Sequence, residues 1–422
     1  MMRPSIRSRG SVLGLLAACL LIAGCTDSPV VPPASVGPSG TPVVASPTAA
    51  SPSASSVGPT TGPPRTPPPS PGSVAASVLR GFPAPVISLA WSPDGRLLAA
   101  ASGGISSRAP GTDRVWLWTA AGAAGPVMKG HTGRVLDVAW SPDGKLLASA
   151  SADGTARLWR PDGSAAKVLK TNAGKVFSMS WSADAQKLAI GASRSATDNT
   201  AEIWTADGRL QSTLHTSFSS AQFYDAAWSP DGQFLAAGAT DFGLWTGDGT
   251  LVGRTDGQAG SPAARSLAWS PDSTRWAIGD ESGSVRLLDL EAKPLNSMHV
   301  ATGVDAMAWS PDGSSLAAET QLWTADGTPI GSLAGSDGEF DSAITNLAWS
   351  PDGSIVAAGN QKGEVGLFNA AGDRLLVLSV SGSNDGKRQV DSLAWSPDGK
   401  TLAVGYEDSV ARLWRVGAVL VP

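Results

Sequence analysis

One tryptophan recurs eight times along this chain at a spacing of forty-odd residues, each time at the end of a short apolar run and just before a turn. The positions are Trp91, Trp140, Trp181, Trp228, Trp269, Trp309, Trp349 and Trp395, with successive gaps of 49, 41, 47, 41, 40, 40 and 46 residues. The fullest copy runs Gly130-His131-Thr132-Gly133-Arg134-Val135-Leu136-Asp137-Val138-Ala139-Trp140, then Ser141-Pro142-Asp143-Gly144. It continues Lys145-Leu146-Leu147-Ala148-Ser149 and closes with Ala152-Asp153-Gly154-Thr155-Ala156-Arg157-Leu158-Trp159. Ser-Pro-Asp-Gly suits a type I turn, because Pro presets φ at the second position and Gly is favoured at the fourth. The flanking residues are short, apolar and β-favouring, so each copy reads as strand, tight turn, strand, second turn, third strand.

A period in the forties with four short strands per unit predicts a β-propeller. The third strands end in Leu117-Trp118, Leu158-Trp159, Ile203-Trp204, Leu244-Trp245, Leu287-Leu288, Leu322-Trp323, Leu367-Phe368 and Leu413-Trp414, which makes eight blades. Eight of the 16 tryptophans open hairpins and six close third strands, leaving only Trp116 and Trp276 outside the pattern. Most of them are therefore expected as large apolar plugs between blades, a use that outweighs a Trp-lined glycan site.

On these residues the chain resembles the WD-repeat family, most closely in the copy with Gly130-His131 ahead of its first strand and Asp153 six residues before Trp159. The resemblance covers roughly residues 75 to 418. It implies an all-β, single eight-bladed WD-repeat propeller. It also implies that each sequence repeat is offset from a blade, its first strand being the outer strand of the blade before. Residues 77–80 would then complete the last blade and remove the free sheet edges; residues 418–421 are the competing strand. In this family the His before the first strand, the Ser of the second, the Asp of the next turn and the third-strand Trp form a structural hydrogen-bond network. His131, Ser149, Asp153 and Trp159 match those positions, whereas the last unit keeps Asp408 but has Gly386 where its His would be.

Within the first strands, the residue before each Trp is small: Ala90, Ala139, Ser180, Ala227, Ala268, Ala308, Ala348 and Ala394. Three residues before each Trp stand Ser88, Asp137, Ser178, Asp225, Ser266, Ala306, Asn346 and Ser392, all but one short and polar. The two sets are two residues apart, so strand alternation puts them on one face. The polar set is expected to face a wet central channel.

The first 75 residues are of another kind. Arg3, Arg7 and Arg9 precede an apolar run over residues 12–23, of signal-peptide length and short for a membrane span. The run ends Leu21-Ile22-Ala23-Gly24-Cys25, which resembles the bacterial lipobox and implies cleavage before Cys25 and a diacylglycerol on its thiol. Residues 26–71 hold fourteen prolines among 46 residues and only two charges, Asp27 and Arg65. Such a segment buries too little to offset chain entropy and is expected to be a disordered tether. If extended, it would reach roughly 140 Å at about 3.1 Å per residue. The expected organisation is a signal peptide over 1–24, a lipidated Cys25 with a proline-rich linker over 25–74, and the propeller over 75–422. Loss of the three arginines with the signal takes the net charge from −5 to −8. That balance disfavours nucleic-acid binding and leaves the lipid on Cys25 as the expected bilayer contact.

A nucleophilic triad can be drawn from His131, Ser149 and Asp153, but an activated Ser would also need an oxyanion hole and an accessible pocket, and no nucleophile elbow is present. The structural network is the stronger reading. The three histidines, His131, His215 and His299, fall in different units, so no zinc site is expected. The repeated Asp-Gly pairs are what tight turns demand rather than calcium loops. No cofactor is expected. What varies is the set of connections opposite the constant turns: residues 103–114, 193–200, 216–222, 253–264, 335–342 and 381–389. Binding specificity is built on such loops, and Arg108, Phe218, Phe223, Tyr224, Arg254, Phe340 and Arg388 are the candidate anchors for a protein or peptide partner in the cell envelope. The expected function is a lipid-anchored, extracytoplasmic binding or scaffolding module on a bacterial cell membrane. The alternatives are an envelope hydrolase or lyase at the channel mouth, using carboxylates such as Asp137, Asp225, Asp305 and Asp391, or a glycan-binding propeller.

Overall fold

The turn chemistry sets the local structure. In the first Ser-Pro-Asp-Gly, the Gly95 N–H donates to the Ser92 carbonyl at 2.9 Å, closing the turn. Asp94 then accepts from the Ser92 hydroxyl at 2.6 Å and from the Arg96 N–H at 3.0 Å, while Ser92 Oγ accepts the Leu97 N–H at 2.9 Å. All eight turns carry the same Ser-to-Asp bond, at 2.5–2.7 Å. Six have Gly at the fourth position with positive φ; the other two force Ala185 to 59° and Ser273 to 61°.

A computed structural model describes residues 76–416 apart from 104–112, 173, 196–197, 216–224, 239–241, 256–261, 334–339, 341–342 and 380–388. Among the described residues the strands form eight antiparallel sheets of four, and no helix occurs. In seven sheets the strands follow chain order. The eighth takes Val390–Trp395, Thr401–Tyr406 and Val410–Arg415 from the end of the chain and Ala76–Leu79 from its start. Ala76 pairs with Trp414 and Leu79 with Ala411, so the N-terminal strand closes the ring, one residue earlier than the 77–80 expected. Residues 418–421 lie outside the described residues.

Eight apolar cores occupy the eight junctions between blades, and each holds one first-strand Trp. Seven of these indoles also donate Nε1–H to the carbonyl of the small residue in the preceding blade, at 3.0–3.3 Å: Trp91 to Ala394, Trp140 to Ala90, Trp181 to Ala139, Trp269 to Ala227, Trp309 to Ala268, Trp349 to Ala308 and Trp395 to Ala348. Small side chains are needed here because the indole must reach backbone. The exception is informative. Ser180 replaces Ala, its hydroxyl accepts the Trp228 backbone N–H at 3.1 Å, and Trp228 Nε1 has no hydrogen-bond partner among the described residues.

The polar residues three before each Trp are not on a wet channel. Ser88, Asp137, Ser178, Asp225, Ser266, Asn346 and Ser392 are all buried. Ser88 donates to Asp137 at 3.0 Å and accepts from Val138 N–H at 3.2 Å; Asp137 accepts from Met179 N–H at 3.1 Å, and Ser178 from Ala226 N–H at 3.0 Å. They belt one innermost strand to the next. Radial strands turn their side chains toward neighbouring blades, so the expectation of a channel face is corrected.

Candidate binding surface

The two ends of the ring differ in construction. One carries the eight Ser-to-Asp turns and the links after the third strands; the other carries the connections that vary in length and sequence. Of the anchors expected on that loop face, Arg108, Phe218, Phe223, Tyr224 and Arg388 lie outside the described residues, as does Cys25. Arg254 is exposed at the end of the outer strand Leu251–Arg254. Phe340 is a correction. It is fully buried in the core between the sixth and seventh blades, edge-on to Phe368 at 5.6 Å, and presents nothing to a partner.

The fullest repeat builds its network as a relay. Trp159 Nε1 donates to Ser149 Oγ at 2.8 Å, Ser149 Oγ lies 2.8 Å from His131 Nε2, and His131 Nδ1 lies 2.9 Å from Asp153. With the indole as donor, one consistent assignment has the Ser149 hydroxyl donating to Nε2 and the Nδ1–H donating to Asp153. Asp153 also accepts from the Thr132 N–H and the Thr155 hydroxyl. Burial raises its carboxyl, but the bonds from His131, Thr155 and Thr132 outweigh burial and hold it well below the usual carboxylate range. Ser149 is 0% exposed. A substrate has no route to this hydroxyl in the folded state, so the relay clamps the second turn against the third strand.

No other blade repeats it, because the strand register puts Ala100, Ile190, Ala237, Ile278, Ala318, Ala358 and Val404 where the relay has Ser149. The third blade has its own solution, which sequence inspection missed. Glu202, wholly buried two residues before Trp204, accepts the Trp204 indole at 2.8 Å and the Asn172 N–H at 3.1 Å. The eighth blade has none: Trp414 Nε1 and one oxygen of Asp408 lack partners among the described residues, and Arg412 turns to Asp408 at 3.1 Å.

Around the loop-face mouth, carboxylates sit at two corners. Arg265 pairs with Asp305 at 3.1 Å and with Glu281 at 3.4 Å. Behind them Glu319 accepts the N–H groups of Asp305 and Ala306 at 2.7 and 2.9 Å. Burial dominates those bonds and pushes its carboxyl up to about 8. At the other corner, burial and then the nearby Glu407 push Asp391 up to about 7, with Asp408 adding to the effect. Asp137 and Asp225, by contrast, belong to the buried belt, so the four first-strand carboxylates do not converge on one site. Among the described residues, no group of three or more His, Cys, Asp or Glu is placed to hold a metal ion, and no helix is long and apolar enough to cross a membrane.

Comparison with known proteins agrees with this geometry. Residues 75–109, 125–160, 208–252, 327–369 and 374–415 match the family described as WD domain, G-beta repeat. Each matched segment starts near an outer strand and runs into the following blade, the offset expected above. The fold and these matches define the class: an eight-bladed β-propeller with WD40 repeats. No curated protein matches the chain in sequence. Among solved structures, the computationally designed Ika8 protein is similar at 19% identity and a TM-score of 0.66. Sqt1 from Chaetomium thermophilum is similar at 17% identity and a TM-score of 0.69, and one of its structures has it bound to the N-terminus of the ribosomal protein L10. Each alignment covers 80% of this chain and 98% of the other. At such identities the likeness is one of fold.

Proposed function

We propose that this chain is a lipid-anchored, extracytoplasmic binding or scaffolding module whose loop face receives a protein or peptide. The observation that carries the reading is the contrast between the two ends of the ring. Eight turns of one design satisfy their own polar groups at one end, while the other end carries connections of different length and has polar atoms of the eighth blade with no partner among the described residues. A rigid scaffold under variable loops is how binding surfaces are commonly built. That Sqt1, of similar fold, was captured with a ribosomal-protein segment supports a polypeptide as the occupant.

The anchor in this reading is Cys25 at the end of the signal-like segment, with residues 26–71 as the tether. One lipidated cysteine and a proline-rich spacer would hold the propeller at a bacterial membrane without any spanning segment. Fractionation tests it. Cys25→Ser should release the protein from membranes or leave an uncleaved precursor, with the propeller's melting curve unchanged. A variant that matures and sediments with membranes like the parent contradicts the anchor.

A further inference from the structure

Six of the eight innermost strands break register at the same place, just inside the loop face. Their pairing jumps between Val86 and Ser88, Val135 and Asp137, Val176 and Ser178, Ala264 and Ser266, Ile344 and Asn346, and Val390 and Ser392. The skipped residues are Ile87, Leu136, Phe177, Arg265, Thr345 and Asp391. A β-bulge leaves its extra residue unpaired and re-aims the side chain. The residues on both sides of each are buried, whereas five of the six are half-buried and Leu136 keeps 8% exposure.

These six positions sort by what already engages them. Arg265 is paired with Asp305 and Glu281. Thr345 donates to the Val390 carbonyl at 2.6 Å. Asp391 is different: one oxygen accepts from Gln389 at 3.3 Å, and the other is buried without a partner among the described residues. Ser392, next in the chain and 7% exposed, also has a hydroxyl with no partner among the described residues. Glu407 and Asp408 stand beside Asp391, and the guanidinium of that corner, Arg412, donates to Asp408 through Nη2, keeps a buried Nη1 with no partner among the described residues, and lies 4.5 Å over the Tyr406 ring. Among the described residues this corner has three carboxyl groups against one cation. Ile87, Leu136 and Phe177 belong to none of the eight junction cores. Their strands follow that of Asp391 around the ring, in the first, second and third blades.

We infer that this arc docks an extended peptide segment carrying a lysine or arginine beside apolar side chains, the cation on Asp391 and the apolar residues along Ile87 and Phe177. The inference rests on the binding-module reading and names the partner's chemistry. Charge complementarity selects the cation, since among the described residues this corner is rich in carboxyl groups and one Asp391 oxygen has no partner. The apolar arm selects a polypeptide over a small amine, which would use the corner alone. Because burial and Glu407 hold the Asp391 carboxyl near neutrality, docking a cation there releases a proton, and binding should tighten as pH rises from 6 to 8.

The test uses the immobilised full chain and a random dodecapeptide phage library, with recovered peptides synthesised and measured by calorimetry. The expected result is enrichment of Lys or Arg next to Leu, Ile or Phe. Binding should weaken at least tenfold in Asp391→Asn and in Phe177→Ser, with parental melting curves. If either variant unfolds, Ile87→Lys sets a like charge beside the cation and should weaken binding similarly. Peptides that bind the parent yet are insensitive to Asp391→Asn, Phe177→Ser and Ile87→Lys overturn this site and leave the binding-module reading standing. Selection of basic peptides without apolar neighbours overturns the apolar arm. Failure of the parent to enrich any peptide overturns both.

Discussion

Asp143 on the turn face and Asp391 on the loop face are the same residue type put to opposite use. Burial raises Asp143, but the Ser141 hydroxyl and the side chain and N–H of Lys145 outweigh it, and its carboxyl is held below the ordinary value. Asp94, Asp184, Asp272, Asp312, Asp352 and Asp398 are held low in the same way, each bonded by the Ser of its own turn. Asp391 is buried among other carboxyls with one weakly engaged oxygen, and its carboxyl is pushed up. The turn face spends its carboxylates on folding. On the loop face Asp153 and the two carboxylates on Arg265 are bonded as well, and it is the Asp391 corner that keeps a carboxyl oxygen with no partner among the described residues.

That division holds only while the ring beneath is closed, and the largest effect should come from opening it. Deleting residues 26–72 should leave the melting temperature nearly unchanged, because that segment has no apolar periodicity. Deleting through Arg80 removes the Ala76–Leu79 strand, bares the edge of Val410–Arg415 and takes Leu79 from the core between the last and first blades. Aggregation or loss of a cooperative transition should follow only in the second case. Equal melting by both truncations would show that the N-terminal strand is dispensable.

The next effect separates the two faces by pH. A turn carboxyl with a lowered folded pKa stabilises above its unfolded value and loses that contribution as pH falls through the folded one. A loop-face carboxyl with a raised folded pKa behaves in reverse: its neutral form costs nothing at low pH, and stability drops as pH climbs from the unfolded value toward the folded one. For Glu319 the window runs from 4.5 to about 8. The parent should therefore lose stability between pH 5 and 8.5. Glu319→Gln keeps an acceptor for the Asp305 and Ala306 N–H groups and should recover on the order of 3–5 kcal/mol at pH 8.5, with little change near pH 4.5. Identical pH profiles for parent and variant would remove this half of the contrast.

A smaller loss should follow from cutting the buried relay. His131→Ala leaves Ser149 Oγ and Asp153 short of a partner and should cost about 1–3 kcal/mol in denaturant melts, with Ser149→Ala changing stability in the same direction. Loss of a catalytic activity in either variant with an unaltered melt would assign the relay to chemistry instead of folding.

Much of this molecule was legible because its information is local and repeated. Trp91 to Trp395, the Ser-Pro-Asp-Gly turns and the His131 relay are spaced along single repeats, so a linear reading reaches them. Phe340 was misjudged because a place in a variable loop does not say which way a ring points, and here it fills a core. The polar set from Ser88 to Ser392 was assigned to a channel because strand alternation distinguishes two faces without saying what each faces. Bulges at Ile87 or Asp391 are properties of paired strands and leave no mark in one strand. The raised carboxyls of Glu319 and Asp391 depend on burial by distant residues, which spacing does not encode. Ser180 was the visible irregularity with a structural consequence, a Trp228 indole with no hydrogen-bond partner among the described residues.

The most direct test of the central claim applies one substitution to both faces. Asp143→Ala removes the acceptor for the Ser141 hydroxyl and the Lys145 N–H. It should lower stability by about 1–2 kcal/mol and leave binding of a selected basic-apolar peptide at the parental affinity. Asp391→Ala should leave the melting temperature unchanged or raised near pH 7.5 and weaken that peptide at least tenfold. The reverse pattern, or equal effects of the two changes on both stability and binding, would contradict a structural turn face and a recognising loop face.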